Sequence, residues 1–182
     1  ELLSNASDAI HKRKFLGQTK PQILNDGADE ICVHIDKKKK TIEIADTGIG
    51  LSSDDLTETL GTIARSGTSS FLDSVSENAD NKDATKTLIG KFGVGFYSAF
   101  MVAEKVVVTT RKLGEEEANI WESDGQTGYT ITASNNAYAT GTSIKLFLRK
   151  DAKEYADPAK IKMLIKKYSD HILVPIFRSE ER

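Results

Sequence analysis

The chain has 182 residues, 38% hydrophobic and 29% charged, with 25 Lys and Arg against 27 Asp and Glu, for a net charge of −2. That length fits one domain with room for a sizeable core, and the near-neutral balance weighs lightly against nucleic acid or an anionic membrane as the main partner. No apolar run approaches the roughly 20 residues of a membrane span, Cys32 as the single cysteine excludes an internal disulfide and allows a reducing compartment, and His11, His34 and His171 are too scattered for a zinc site. An anionic ligand would have to be held by local dipoles, a metal or single basic residues. The chain opens on Glu1 inside a helical pattern, without an initiating Met or a signal peptide, and stops on Ser179-Glu180-Glu181-Arg182. Both ends are expected to be cuts.

Residues 1–15 are expected to be helical, with Leu2, Leu3, Ala6, Ala9 and Ile10 on one face. Residues 30–46 read as a β-hairpin: Ile31, Val33 and Ile35 alternate, Lys37 to Lys40 form a solvated turn, and Ile42 and Ile44 alternate again before Asp46 ends the strand. Thr47-Gly48-Ile49-Gly50 is a Gly-rich turn. Ser52 or Ser53 then caps a short helix to about Leu60. Residues 61–90 are rich in Gly, Ser, Thr, Asn and Asp and carry little pattern, as a functional or disordered segment does. Gly90 to Gly95 opens an apolar helix, Val94 to Val102. Strand-like runs follow at 105–111, 118–123, 128–133 and 142–148. An amphipathic helix at about 157–168 is expected to turn Ile161, Leu164 and Ile165 inward, and Val174 to Phe177 suits a final short strand. Helices gathered apart from a run of strands indicate an α+β fold, an antiparallel sheet covered on one side by helices.

Three stretches carry chemistry. Glu1, Asn5, Asp8 and Lys12 follow i, i+4, i+7, i+11, and at about 100° per residue they form one polar stripe beside the apolar face. A carboxylate and an amide on adjacent turns can hold a hydrated Mg²⁺ and a reacting water together; the same stripe also suits a solvated face with an Asp8–Lys12 ion pair. Asp46, at a strand end before Gly48 and Gly50, can accept a hydrogen bond from an exocyclic amine such as that of adenine, with the glycines letting backbone approach a flat ring; a plain strand-to-helix turn has the same residues. Gly90-Lys91-Phe92-Gly93-Val94-Gly95-Phe96 can aim backbone N–H groups at a phosphate at a helix start, or serve tight packing. It is neither a P-loop nor the dinucleotide fingerprint. Arg65 can meet a phosphate or stay solvated. Trp121 is expected in the core, and Cys32 buried and inert.

Glu1-Leu2-Leu3-Ser4-Asn5-Ala6-Ser7-Asp8-Ala9, Asp46 to Gly50, Leu60-Gly61-Thr62-Ile63-Ala64-Arg65-Ser66-Gly67-Thr68, and the string from Ile89 to Val102 together resemble the N-terminal domain of the ninety-kilodalton heat-shock chaperones in order and spacing, across nearly the whole chain. The run Ile89 to Ala99 is very specific to that family. Gyrase, mismatch-repair ATPases and histidine kinases share its fold, the Bergerat fold, without that string.

The resemblance implies a two-layer sandwich, a mostly antiparallel sheet under helices, forming one ATP-binding domain over 1–182 with ATP and Mg²⁺ between the helices. Glu1 is implied as the general base, with Arg65 beside the phosphates, and Asn5 as the Mg²⁺ ligand. Asp46 is implied as the adenine anchor, assisted through water by Ser4, Gly50 and Thr142. Ala9, Leu51 and Phe96 would wall the pocket, with Asp8 and Lys12 at its mouth. Thr59, Leu60 and Ser66 complete the nucleotide set with Gly93, Val94, Gly95 and Phe96, whose N–H groups would meet the phosphates. Residues 61–93 would be a lid. Client proteins, co-chaperones and a second copy in a homodimer are the implied partners, ATP-competitive inhibitors the implied ligands, and cytosol or an organelle matrix the implied location. Two positions depart from the family: Leu51 stands where Met is usual, a volume-conserving swap, and Thr59 where Asn is common, which puts polar contacts there in doubt. The strand that normally precedes Glu1 is absent. Arg65 and Ser98 to Ala103 lean toward organellar or bacterial-type members. The function expected is ATP hydrolysis driving a chaperone cycle. The rivals are a nucleotide-gated binding module with negligible hydrolysis, a histidine kinase and a topoisomerase-type enzyme.

Overall fold

A computed structural model describes residues 1–20, 27–61, 95–134 and 138–179. Seven strands form one sheet: β1 (Ile31–Asp36), β2 (Thr41–Asp46), β3 (Ala103–Arg111), β4 (Ala118–Ser123), β5 (Tyr129–Ser134), β6 (Gly141–Leu148) and β7 (Ile176–Ser179), in the order β5-β4-β3-β6-β2-β1-β7. Every pairing is antiparallel except β1 with β7. The α+β architecture agrees with the sequence expectation.

Helix α1 (Leu2–Thr19) covers the β1–β2 hairpin. Its buried stripe is Ala6, Ser7, Ile10, Arg13 and Gly17, so the face runs further than the apolar residues alone indicated and takes in a charge. Ala6 and Ile10 meet Ile31 and Val174 in a small core. Ile10 and Ile31 are fully buried, each worth about 2 kcal/mol by transfer. The larger core lies under the helices along β3, β6, β2 and β4 and includes Val33, Ile42, Val106, Val108, Trp121, Ile144 and Leu146 with Leu56, Leu60, Tyr97 and Phe100. Trp121 is buried there, as expected.

Some elements differ from the sequence reading. The helix expected to run from Ser52 to Leu60 is a short α2 (Ser53–Leu56), begun by a reciprocal cap between Ser52 and Asp55, then a π-helical turn (Thr57–Gly61). Thr57 and Thr59 donate their hydroxyls to the carbonyls of Ser53 (3.1 Å) and Asp55 (2.5 Å), and such back-bonding competes with the regular ladder. The apolar helix expected at 94–102 is a 3-10 helix (Gly95–Met101), where Ser98 Oγ donates to Gly95 O, three residues back, at 2.6 Å. Helix α3 (Pro158–Tyr168) has no fully buried residue; Ile161 and Ile165 only half-bury against the core. The last strand begins at Ile176 rather than Val174. Cys32 is half-buried rather than buried, and burial, followed by the charge of Glu30, pushes its thiol pKa up, so it stays protonated at neutral pH.

Candidate functional site

The end of β2, the turn after it and one side of α1 surround a cavity of about 500 Å³, within the range of small-molecule sites. Asp46 is the last residue of β2 and pairs in register with Thr142 of β6. Its carboxylate accepts the Gly48 N–H at 2.8 Å and a backbone N–H from Thr142. Burial nevertheless dominates and pushes its pKa up to about 6, against the lowering effect of those two N–H groups and of Arg13. The result is a desolvated carboxyl that titrates just below neutral pH, poised to accept from a donor entering the cavity.

The turn after Asp46 has little freedom. Ile49 N donates to Ala9 O of α1 at 3.0 Å, Leu51 N to Thr110 Oγ1 at 2.9 Å, and Leu113 N to Ile49 O at 2.8 Å. Gly50 has φ +71°, and a Cβ there would overlap Arg111 O and lie 2.6 Å from its carbonyl carbon, so only glycine suits the position. Thr110, fully buried, also donates to Gly141 O and shares a 3.0 Å hydrogen bond with Thr142 Oγ1. It ties both sides of the turn to β6.

The polar stripe of α1 opens onto the same space. Glu1, Asn5, Asp8, Lys12 and Ala9 all line the cavity. Asp8 and Lys12 are exposed, and no ion pair joins them among the described contacts. Glu1 reaches across to the start of the 3-10 helix, where its side chain lies against the α-carbon of Gly95 and a Cβ there would overlap it. Phe96, Leu51, Leu60 and Thr59 complete the wall named from the sequence, with Gly50, Gly95 and Thr142.

Residues 1–145 match the family described as the histidine kinase-, DNA gyrase B-, and HSP90-like ATPases. The chain belongs to this family. Within it, the chain is 49% identical over 182 residues to the chaperone protein HtpG of Rickettsia massiliae (strain Mtu5), covering 100% of the chain and 29% of that protein. It is 50% identical over 178 residues to that of Wolinella succinogenes, covering 97% and 28%, and 47% identical over 182 residues to that of Rickettsia prowazekii (strain Madrid E), covering 100% and 29%. The chain therefore spans under a third of the length of these relatives. Membership of an ATPase family accounts for a nucleotide-sized cavity between helix and sheet end.

Not every residue named from the sequence reaches the cavity. Ser4 is half-buried on α1 and is not part of its wall. Arg65, Ser66, Gly93 and Val94, with residues 62–93 of the segment read as a lid, lie outside the described residues. Five wall residues were missed: Ala6, Ile49, Tyr97, Val108 and Ile144. Val108 and Ile144 sit on the helix-facing side of adjacent strands, paired with each other; strand alternation marks that face, but not which part of it stays uncovered. Thr110 was missed as well, because its role depends on three separate chain segments. Among the described residues, no cluster of His, Cys, Asp and Glu could hold a metal ion by itself. The donor set still suits Mg²⁺, which keeps most of its waters and takes one or two protein oxygens plus substrate phosphates: Asn5, with its amide side chain, lines the cavity along with Glu1 and Asp8.

Proposed function

We propose that the chain binds and hydrolyses ATP as the nucleotide-driven part of a molecular chaperone, with Mg²⁺ as cofactor. The observation that carries the reading is the convergence of the buried Asp46 carboxylate and the Glu1–Asn5–Asp8–Lys12 stripe on one cavity. The family supports the ATPase part; the HtpG relatives, named as chaperone proteins, support the chaperone part. Asp46 accepts the exocyclic amine of adenine, with Thr142 and Gly50 beside it, and Leu51, Phe96 and Ala9 cover the ring faces. Asn5 supplies the protein oxygen for Mg²⁺, and Lys12 and Asp8 line the mouth. Glu1, one helical turn before Asn5, orients the attacking water and takes its proton. Mg²⁺, when bound, neutralises charge on the phosphate oxygens.

In the whole protein this cycle acts on client proteins with co-chaperones, in a homodimer, inside the cytosol or an organelle matrix. The isolated domain hydrolyses ATP slowly, because outside the segment read as a lid the sequence offers no strong arginine candidate for the γ-phosphate, and such a group is worth roughly 10³–10⁵-fold where it acts. The test compares ATP turnover and affinity in the full-length protein and its Glu1→Ala variant. Affinity should stay within a few-fold while turnover falls by about 10²–10⁴-fold. Wild-type turnover in the variant would remove Glu1 as the base. Turnover by the 182-residue chain equal to that of the whole protein would refute the slow-domain reading.

A further inference from the structure

One buried cation has no part in the cavity wall. Arg13 follows Lys12 on α1 but, about 100° further round the helix, belongs to the buried stripe and is 6% exposed. A guanidinium cannot shed its charge, so it must be compensated where it lies. Its Nη2 donates to Asp29 Oδ1 at 2.5 Å and to Gly27 O at 3.3 Å, while its Nε–H has no partner. Asp29 does not need Arg13 for neutralisation, because Lys14 Nζ stands 2.7 Å from its other oxygen. The buried arginine exceeds what that ion pair requires.

The segment that Arg13 grips is joined to the Asp46 turn. Thr47 Oγ1 donates to Ala28 O at 2.8 Å and accepts the Glu30 N–H at 3.0 Å, and Thr47 N donates to Glu30 O at 3.2 Å. From the other side α1 holds the same turn through Ala9 O. Arg13 and Ala9, four residues apart on one helix, thus brace the turn from two directions.

We propose that Arg13 is a positioning residue for the nucleotide site: through Asp29 and residues 27–30 it holds the turn carrying Asp46. The electrostatic surroundings agree. The charged and titratable groups around Asp46 are Glu1, Asp8, Lys12 and Arg13 from α1, Asp29 and Glu30 from the preceding segment, and Tyr138 from the approach to β6. Lys12 is exposed and screened by water. Among the described residues, Arg13 is the side-chain charge that lowers the Asp46 pKa, after burial and the two backbone N–H groups.

The functional meaning rests on the adenine-anchor reading of Asp46, but the electrostatic link does not. The test follows the Asp46 carboxyl carbon by NMR from pH 4 to 8 in the nucleotide-free chain, for wild type, Arg13→Gln, Arg13→Leu and Arg13→Lys. The Gln and Leu variants should bind ADP severalfold more weakly at pH 6 and pH 8 alike, Leu more than Gln, through the loosened turn. Loss of the positive charge should also move the Asp46 midpoint up, with Lys returning it toward wild type. Arg13→Gln keeps side-chain donors toward Asp29 and Gly27, so a Leu variant that fails to fold does not block the test. Folded neutral variants that bind ADP as wild type at both pH values overturn the proposal. Asp46→Asn binding ADP as wild type would overturn the cavity reading and the functional consequence of Arg13, whatever the NMR midpoints show.

Discussion

Replacing Asp46 by Asn keeps the shape of the side chain and removes its charge, which separates two effects of opposite sign. A hydrogen bond to a charged group is worth about 1.5–3 kcal/mol, so ADP affinity at pH 8 should fall on the order of 10- to 100-fold. In wild type the carboxylate must be ionised to accept the amine, so affinity should decline as pH drops below about 6, by about tenfold per unit at the steepest. Stability of the free chain runs the other way. The folded pKa, about 6, lies above the unfolded value of 3.8. The protonated folded form is therefore favoured, and this contribution is complete below the unfolded value and lost as pH rises through 6. The full linkage is about 3 kcal/mol, of which about 1.4 kcal/mol falls between pH 5 and 8. Asp29, Glu43, Asp55 and Asp124 have lowered pKa values and pull the other way. The difference between wild type and Asp46→Asn cancels them. Calorimetric titration with ADP and Mg²⁺ at each pH, with thermal melts of the free proteins, measures both quantities. Equal affinity in the variant, or wild-type affinity that is flat from pH 5 to 7, refutes the role of the ionised carboxylate.

Gly50→Ala should destabilise the chain by at least about 2 kcal/mol, since it combines a left-handed φ with overlap on Arg111 O; Gly114→Ala, with φ +85° but no atom within 4 Å, should cost only about 1 kcal/mol, and denaturant midpoints that match would discount the overlap. Trp121, the single tryptophan, meets the cavity-lining Phe96 edge to face at 5.5 Å, so saturating ADP should change its fluorescence; an emission spectrum that does not respond, at concentrations where calorimetry shows binding, would exclude Phe96 from the ligand-contacting wall.

Local pattern in the sequence determined the elements whose signals are local. Alternation in Ile31 to Ile35 and Ile42 to Ile44 marks β1 and β2, and the lysine turn between them sets their register, because side-chain direction in a strand has period two. The spacing of Glu1, Asn5, Asp8 and Lys12 places them on one side of α1 by helical geometry alone. Spacing cannot say what that side faces. That the stripe and the end of β2 border one cavity follows from how α1 crosses the hairpin, held by Ile49 N on Ala9 O and by the small core around Ile10. The threonines of 57–61 favour a helix by context, yet the hydroxyl competition of Thr57 and Thr59 for carbonyls four residues back accompanies a π turn that periodicity could not show. Thr110 and Arg13 mark the limit most plainly. Thr110 reads as an ordinary strand residue until β3, β6 and the Gly50 turn meet at its hydroxyl. Arg13 reads as a solvated helix charge until residues 27–30 close over it. Burial is a property of what packs on a residue from distant parts of the chain, and it is burial that raises the Asp46 pKa and gives the charge of Arg13 its reach.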